Sequence, residues 1–399
     1  MHFKRNHWLL RLHRYLGLLF CALFLMWFLS GIVMMYVRYP VLTADERRAH
    51  LPLLDVEKVK CLPPAGDVTL TMLLDRPVYK CGSEVVYADD GTALPAIDSP
   101  RALSIAGTFF GNRYGIKSVA RISSQDQWLN KGSFVAYLPA YKIEMKDPAA
   151  TTLYVSCVTG EVFQDVTLKE KILSWMGPIP HWLYLKILIV RPHRYIWTQV
   201  VIWTSLIGCV MCLSGIAAGI IRFRRRRITP YKKRWLRWHH YTGLVFGLFT
   251  FTWVFSGLFS MDPLKMSVDA SPPAMHPLID ITAMQHLKGL PVKEVRCTKV
   301  KDYIYMIAYT NSSTPVVIDP DAGIVNNVCL SALDSAVQLL VNAPVATCEK
   351  LDHYDAYYHD RADRKPLPVI RYQFTDQENT AIYVDPHTGE VLLRLDNNS

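Results

Sequence analysis

The chain has 399 residues, a formal net charge of +10, and 51% hydrophobic against 20% charged residues. That length predicts two or three domains. The apolar excess is concentrated in three uncharged runs with the basic excess beside them, which sets aside a nucleic-acid-binding role: the one strongly basic stretch is short and is tied to apolar runs at both ends.

In chain order, the basic and aromatic start at 1–14 carries Lys4, Arg5, Arg11 and Arg14 and leads into an uncharged run at 15–37. The run exceeds the roughly 20 residues an α-helix needs to cross a roughly 30 Å hydrocarbon core, where only a helix satisfies its own backbone. It is too long for a cleaved signal peptide and lacks a small-residue cleavage site. Residues 38–180 read as an α+β domain. Its short β-rich runs end in Asp, Gly or Pro turns and predict antiparallel strands, and Ser99-Pro100 suits the cap and first position of a helix reaching Phe110. An interfacial segment at 181–194 holds His181 and His193, and the second span is expected at 195–221. A basic loop at 222–237 leads to the third span at 238–261. A second α+β domain is expected over 262–399, with a strand entering a turn at 316–323 and helical spacing at 331–341.

By the positive-inside bias the N-terminus and basic loop are cytoplasmic, and both α+β segments lie outside. Six cysteines (Cys61, Cys81, Cys157, Cys297, Cys329 and Cys348) fall in those outer segments, which suggests disulfides in an oxidising compartment. Cys209 and Cys212 have redox-motif spacing, but within an apolar helix they read as packing residues.

The chain also repeats itself. At an offset of 226 positions His13 meets His239, Gly17 meets Gly243, Trp27 meets Trp253, and Ser30-Gly31 meets Ser256-Gly257. At 229 positions, Leu138-Pro139 meets Leu367-Pro368, and Thr159-Gly160-Glu161-Val162 meets Thr388-Gly389-Glu390-Val391. This predicts a duplicated unit of helix and domain. A counterpart of the second span is expected after Gly389, and the sequence continues for ten residues beyond it. Whether the chain ends outside the membrane or a further segment follows stays open at this point.

Paired imidazoles from neighbouring helices are the usual way a helical bundle holds a haem iron. His13 and His239 are therefore the first candidates. His240 is the alternative to His239, because adjacent residues point about 100° apart on a helix. His181 and His193 are candidates for a second haem near the opposite face, since two cofactors divide a distance of roughly 30 Å of hydrocarbon. The competing reading makes these histidines interfacial anchors among Arg and Trp. The Ser-Gly pairs either let helices approach or make room for a flat macrocycle. In the polar and aromatic stretch 353–360, His353, Tyr357 and His359 are candidate ligand contacts, against a structural loop as the other reading. There is no Gly-rich dinucleotide motif, phosphate loop or zinc-protease motif. The segments assigned to the cytoplasm are too short for a nicotinamide or flavin domain, so a reductant has to be a partner protein, a diffusible cofactor or quinol.

The runs His13-Arg14-Tyr15-Leu16-Gly17-Leu18, Trp238-His239-His240-Tyr241-Thr242-Gly243 and Trp253 to Pro263 resemble the PepSY-associated transmembrane family, as do Tyr354-Asp355-Ala356-Tyr357-Tyr358 and Tyr383-Val384-Asp385-Pro386-His387-Thr388-Gly389. The resemblance covers essentially the whole chain. It implies a bacterial inner-membrane protein: a membrane α-helical bundle of three spanning helices with two duplicated α+β PepSY-like periplasmic domains. In the ferric-siderophore reductase branch it further implies two b-type haems, and electrons passing from a cytoplasmic or quinol donor to ferric siderophore in the periplasm with release of ferrous iron. On that reading His13 and His239 or His240 ligate the inner haem and His181 or His193 the outer one; the partners are the siderophore, the donor and the lipid bilayer, and no nucleic acid. The departure from the family is the fourth helix, which in relatives carries a histidine after a Trp-Leu-Tyr run. The alternative is a haem-free PepSY-type protein that regulates a periplasmic peptidase or a transporter.

Overall fold

The computed structural model describes residues 7–64, 66–189, 194–225, 231–261, 263, 282–312, 314–360 and 365–397. In chain order the elements are α1 (His7–Met34), α2 (Ala44–Ala49), β1 (Val68–Leu73), β2 (Arg76–Cys81), β3 (Glu84–Tyr87), α3 (Ser99–Phe109), β4 (Ile116–Ile122), β5 (Ala140–Met145), β6 (Thr152–Ser156) and β7 (Val162–Val166). Then come α4 (Leu168–Met176), α5 (Pro178–Trp182), α6 (Lys186–Ile189), α7 (Arg194–Arg225) and α8 (Arg234–Phe259). The last are β8 (Glu294–Val300), β9 (Tyr303–Tyr309), β10 (Val316–Asp319), β11 (Gly323–Val325), α9 (Leu330–Gln338), β12 (Val345–Leu351), β13 (Val369–Phe374), β14 (Ala381–Val384) and β15 (Val391–Leu395).

These elements form two compact units, one of Met1–Val41, Ser124–Val135 and Val166–Ala270, the other of Leu42–Ser123, Ala136–Asp165 and Ser271–Ser399. The first is helical. α1, α7 and α8 are long and apolar enough to cross a membrane, so this is a membrane protein. Each helix runs past its uncharged run into basic and aromatic flanks, because Arg and Trp place apolar stems against the helix and polar tips in water. α7 is the central helix, packed on both α1 and α8. Lipid tails are as apolar as leucine, so close packing rather than water exclusion joins such helices. Glycines on α7 make the contacts: a Cβ on Gly208 would lie 3.2 Å from Phe24 of α1 and 3.3 Å from Val254 of α8, and one on Gly219 would lie 2.8 Å from Leu244.

The second unit holds three antiparallel sheets. Two are four-stranded, β4-β5-β6-β7 and β12-β13-β14-β15, and their strands coincide at the offset of 229, as do the cis peptides Leu138-Pro139 and Leu367-Pro368. The third is seven-stranded, in the order β11-β10-β9-β8-β1-β2-β3. The segments read from sequence as two domains thus share one sheet, joined where β1 pairs with β8 through Thr69 with Arg296, Leu70 with Val295, and Thr71 with Glu294.

The period-two alternation of strands buries this sheet on both faces. Leu70, Tyr79, Val295, Met306 and Ile318 fill one core that draws on both halves. On the other face Val78 and Val85 pack with α3, and Ile307 and Val317 pack with α9. The α3 helix is capped by Asp98, whose carboxylate accepts from the Arg101 amide, so the cap lies one residue earlier than Ser99. No disulfide joins any of the nine cysteines. Strand spacing explains one pair: Cys81 on β2 and Cys297 on β8 have β1 between them, which sets them about 10 Å apart, beyond the reach of a disulfide.

Candidate functional site

The helical unit gathers its histidines at the two ends of the spans. On the basic end, His13 of α1 and His239 of α8 face each other with ring centroids 6.0 Å apart and planes 29° from parallel. Nδ1 of His13 lies 3.2 Å from the Met211 carbonyl oxygen of α7. A carbonyl can only accept, so Nδ1 carries a proton; in the neutral ring that leaves the lone pair on Nε2, the tautomer a metal ligand needs. The ring lies against Gly215, where a Cβ would be 2.5 Å from its Cε1. One turn beyond each histidine, Gly17 and Gly243 face open space, with nothing within 4 Å of a Cβ. His240 turns away from this pair, as adjacent helical positions must. It is buried beside Tyr231 and Tyr241, and its Nε2 has no hydrogen-bond partner among the described residues.

At the other end of the spans, α5 holds His181 over α1. Its Nδ1 lies 3.2 Å from the Trp27 carbonyl and 3.2 Å from Ser30 Oγ. Ser30 donates to its own helix at Met26, so the His181 Nδ1 is the donor toward the Trp27 carbonyl and Ser30 Oγ. Burial pulls the imidazole below the usual histidine range, with the Trp27 carbonyl opposing, so the ring stays neutral. His181 opens on a cavity of about 810 Å³ walled by Phe24, Trp27, Phe28, Trp182, Tyr184, Trp197 and Trp253. Residues 124–135 brace this end: Gln127 donates to the Tyr184 carbonyl at 2.5 Å and Tyr39 donates to the Gln127 carbonyl.

The Ser-Gly pairs divide between the two uses read from sequence. Gly31 is a packing glycine, its Cβ position 2.9 Å from Trp253, whereas Gly257 has open space and lines the cavity. Of the candidate ligands, the structure brings His13 and His239 together, points His240 elsewhere, and sets His181 at the far end; His193 lies outside the described residues. His353, Tyr357 and His359 are exposed on the loop after β12. Their neighbours hold that loop: Tyr358 is fully buried and donates to the Pro366 carbonyl, and Asp355 accepts from Tyr383 at 2.7 Å. Sequence reading missed the carbonyls of Met211 and Trp27, since a backbone group has no signature. The repeated Ser30 was a signal for one of these contacts, and nothing marked Met211.

The family described as PepSY-associated TM region matches residues 10–296, which is more than half of the chain. The chain belongs to this family. No curated protein and no solved structure matches the chain. The PepSY-associated match takes in His13, His181, His239 and His240, and therefore both histidine ends of the bundle.

A haem-type ligand set can be tested on these residues. A bond from a first-row metal to an imidazole nitrogen is roughly 2 Å. With ring radii of roughly 1 Å, two imidazoles sharing one metal have centroids about 6 Å apart. His13 and His239 meet that spacing at 6.0 Å, with the open positions of Gly17 and Gly243 beside them. They fit. At the other end, His181 offers one ligating nitrogen and a cavity of suitable size. Among the described residues no group of three or more His, Cys, Asp or Glu is arranged to hold a bare metal ion.

Proposed function

We propose that this protein is an inner-membrane haem b reductase that passes electrons across the bilayer to ferric siderophore in the periplasm, releasing ferrous iron. The observation that carries the reading is the His13–His239 pair, donated by two spanning helices at the spacing of one shared metal, with His13 fixed in the ligating tautomer by Met211.

On this reading His13 and His239 hold one haem on the basic, cytoplasmic side, and His181 holds a second in the cavity on the periplasmic side, with His193 as its candidate partner ligand. Bound there, the haems supply a one-electron Fe(III)/Fe(II) couple. The chain's own part is to orient the imidazoles through backbone carbonyls, keep water from the apolar cavity with its aromatic wall, and space the two ends. His13 and Trp27 are fourteen residues apart on α1, roughly 21 Å at 1.5 Å per residue. That distance divides a span which no single site bridges.

Basic residues beside the spans set the orientation by the positive-inside bias, which puts the sheets in the periplasm. There a duplicated pair of PepSY-like halves offers His353, Tyr357 and His359 as siderophore contacts. Reduction suffices for release, because hard oxygen ligands hold ferric iron far better than the softer ferrous ion. One electron per iron completes the balance, drawn from a cytoplasmic or quinol donor.

The test is the dithionite-reduced visible spectrum of the protein purified from haem-supplied cells, beside His13→Ala and His239→Ala. Sharp α and Soret bands in the wild type that fall in both variants support the reading. A colourless wild type overturns it and leaves the haem-free regulator of a peptidase or transporter.

A further inference from the structure

We infer that α4 is an interfacial helix whose apolar face inserts among the lipids at the end of the bundle that carries His181. Leu168, Ile172, Trp175 and Met176 are all more than half exposed, from 51% to 56%. At 100° per residue these four positions fall within a single arc about 100° wide. Lys169 and Lys171 stand at its two edges, and Ser174, on the opposite side, is buried. A narrow apolar face with lysines on both margins and a tryptophan within it is the pattern of a helix lying in a membrane interface. The lysine stems cover apolar surface there while the ammonium groups reach the headgroups.

The occupant follows from what α4 is attached to. Thr167 and Glu170 form a capping box that starts the helix, and Gly177 ends it on α1, where a Cβ would lie 2.9 Å from Val33. Val33 belongs to the last turn of a membrane span whose neighbouring Leu29 and Ile32 are exposed at 58% and 54%. The apolar face of α4 therefore continues the lipid-facing surface of α1 at its end, where headgroups meet hydrocarbon. Phospholipid is the chemistry that covers both surfaces at once. The inference rests on the membrane span of α1 and is independent of haem.

The test places the photoreactive residue p-benzoylphenylalanine at position 172, and separately at position 29, in the full chain reconstituted in phosphatidylethanolamine–phosphatidylglycerol vesicles. After irradiation, mass spectrometry reads what each position has captured. Phospholipid adducts at position 172, in yield comparable to position 29, support the inference. Lipid capture at 29 with none at 172 overturns it, and so does capture at 172 of a second copy of this chain or of another protein. Because position 29 reports a folded, inserted bundle in the same preparation, loss of the fold does not pass for a negative result.

Discussion

The contact that most constrains the His13 ring is with a hydrogen atom. Gly215 presents only that to the imidazole, and a methyl there would sit 2.5 Å from Cε1, well inside contact distance. Helix propensity alone favours Gly215→Ala by up to about 1 kcal/mol. The packing argument points the other way: the displaced ring loses the Met211 carbonyl and its spacing to His239. We expect Gly215→Ala to lower haem bound per protein several-fold under the proposed function, read from the reduced α band. Unchanged binding with an intact fold counts against the His13 site. A second residue-scale case lies in the sheets. The Glu294 side chain is fully buried and takes Arg47 at 2.6 Å, Arg296 at 2.9 Å and Arg48 at 3.4 Å. Burial alone raises such a carboxyl, yet the three guanidiniums outweigh it and hold it below the usual glutamate range. A folded value below the unfolded one of about 4.3 stabilises fully above that pH, and the contribution is lost as pH falls through the folded value. Glu294→Gln should therefore destabilise at neutral pH by about 3 kcal/mol, and its unfolding temperature should fall less than that of the wild type on acidification below about pH 4.3. Parallel melting curves against pH check both.

Among the elements, the β1–β8 pair has the widest effect, because it turns two halves into one sheet. Leu70 and Val295 are both buried at its centre and share one core. Proline at Val295 removes a ladder donor and fits poorly in a central strand. We expect the wild-type sheets to melt in one transition and Val295→Pro to give two, or to expose the chain between the halves to protease; a single transition with only a lowered midpoint argues that the halves are not coupled here. This junction was not legible in the sequence. The 229 offset marked the four-stranded sheets and the uncharged runs marked the spans, since both are local patterns of composition. A pairing between Leu70 and Val295 leaves no local pattern: each strand reads as buried, and which neighbour buries it is a long-range outcome. The same limit applied to 124–135, which joins the helical unit although its sequence sits between strands. The histidine ends were legible because His13 and His239 repeat. The choice of His239 over His240 was not, since it depends on the rotation of α8 about its own axis.

For the molecule as a whole, the shared sheet constrains topology independently of charge. β1 precedes α7 and β8 follows α8, and the two strands are hydrogen-bonded neighbours. Both must lie on one side of the bilayer, so the chain between them crosses an even number of times. α7 and α8 supply two crossings. With two crossings, the basic linker that includes Lys232 and Lys233 is expected on the side of the bilayer opposite β1 and β8. Sealed vesicles of known orientation test this. Trypsin added to the face bearing that linker should cut near Lys232 and leave both β-segments whole. Trypsin added to the other face should attack the β-segments and spare the linker. Cleavage of the linker and of a β-segment from the same face would mean that α7 and α8 do not both cross the bilayer between β1 and β8. A strand pair cannot form across a hydrocarbon core, where unpaired backbone groups go unsatisfied, so cleavage of the two β-segments from opposite faces would remove the sheet junction as well.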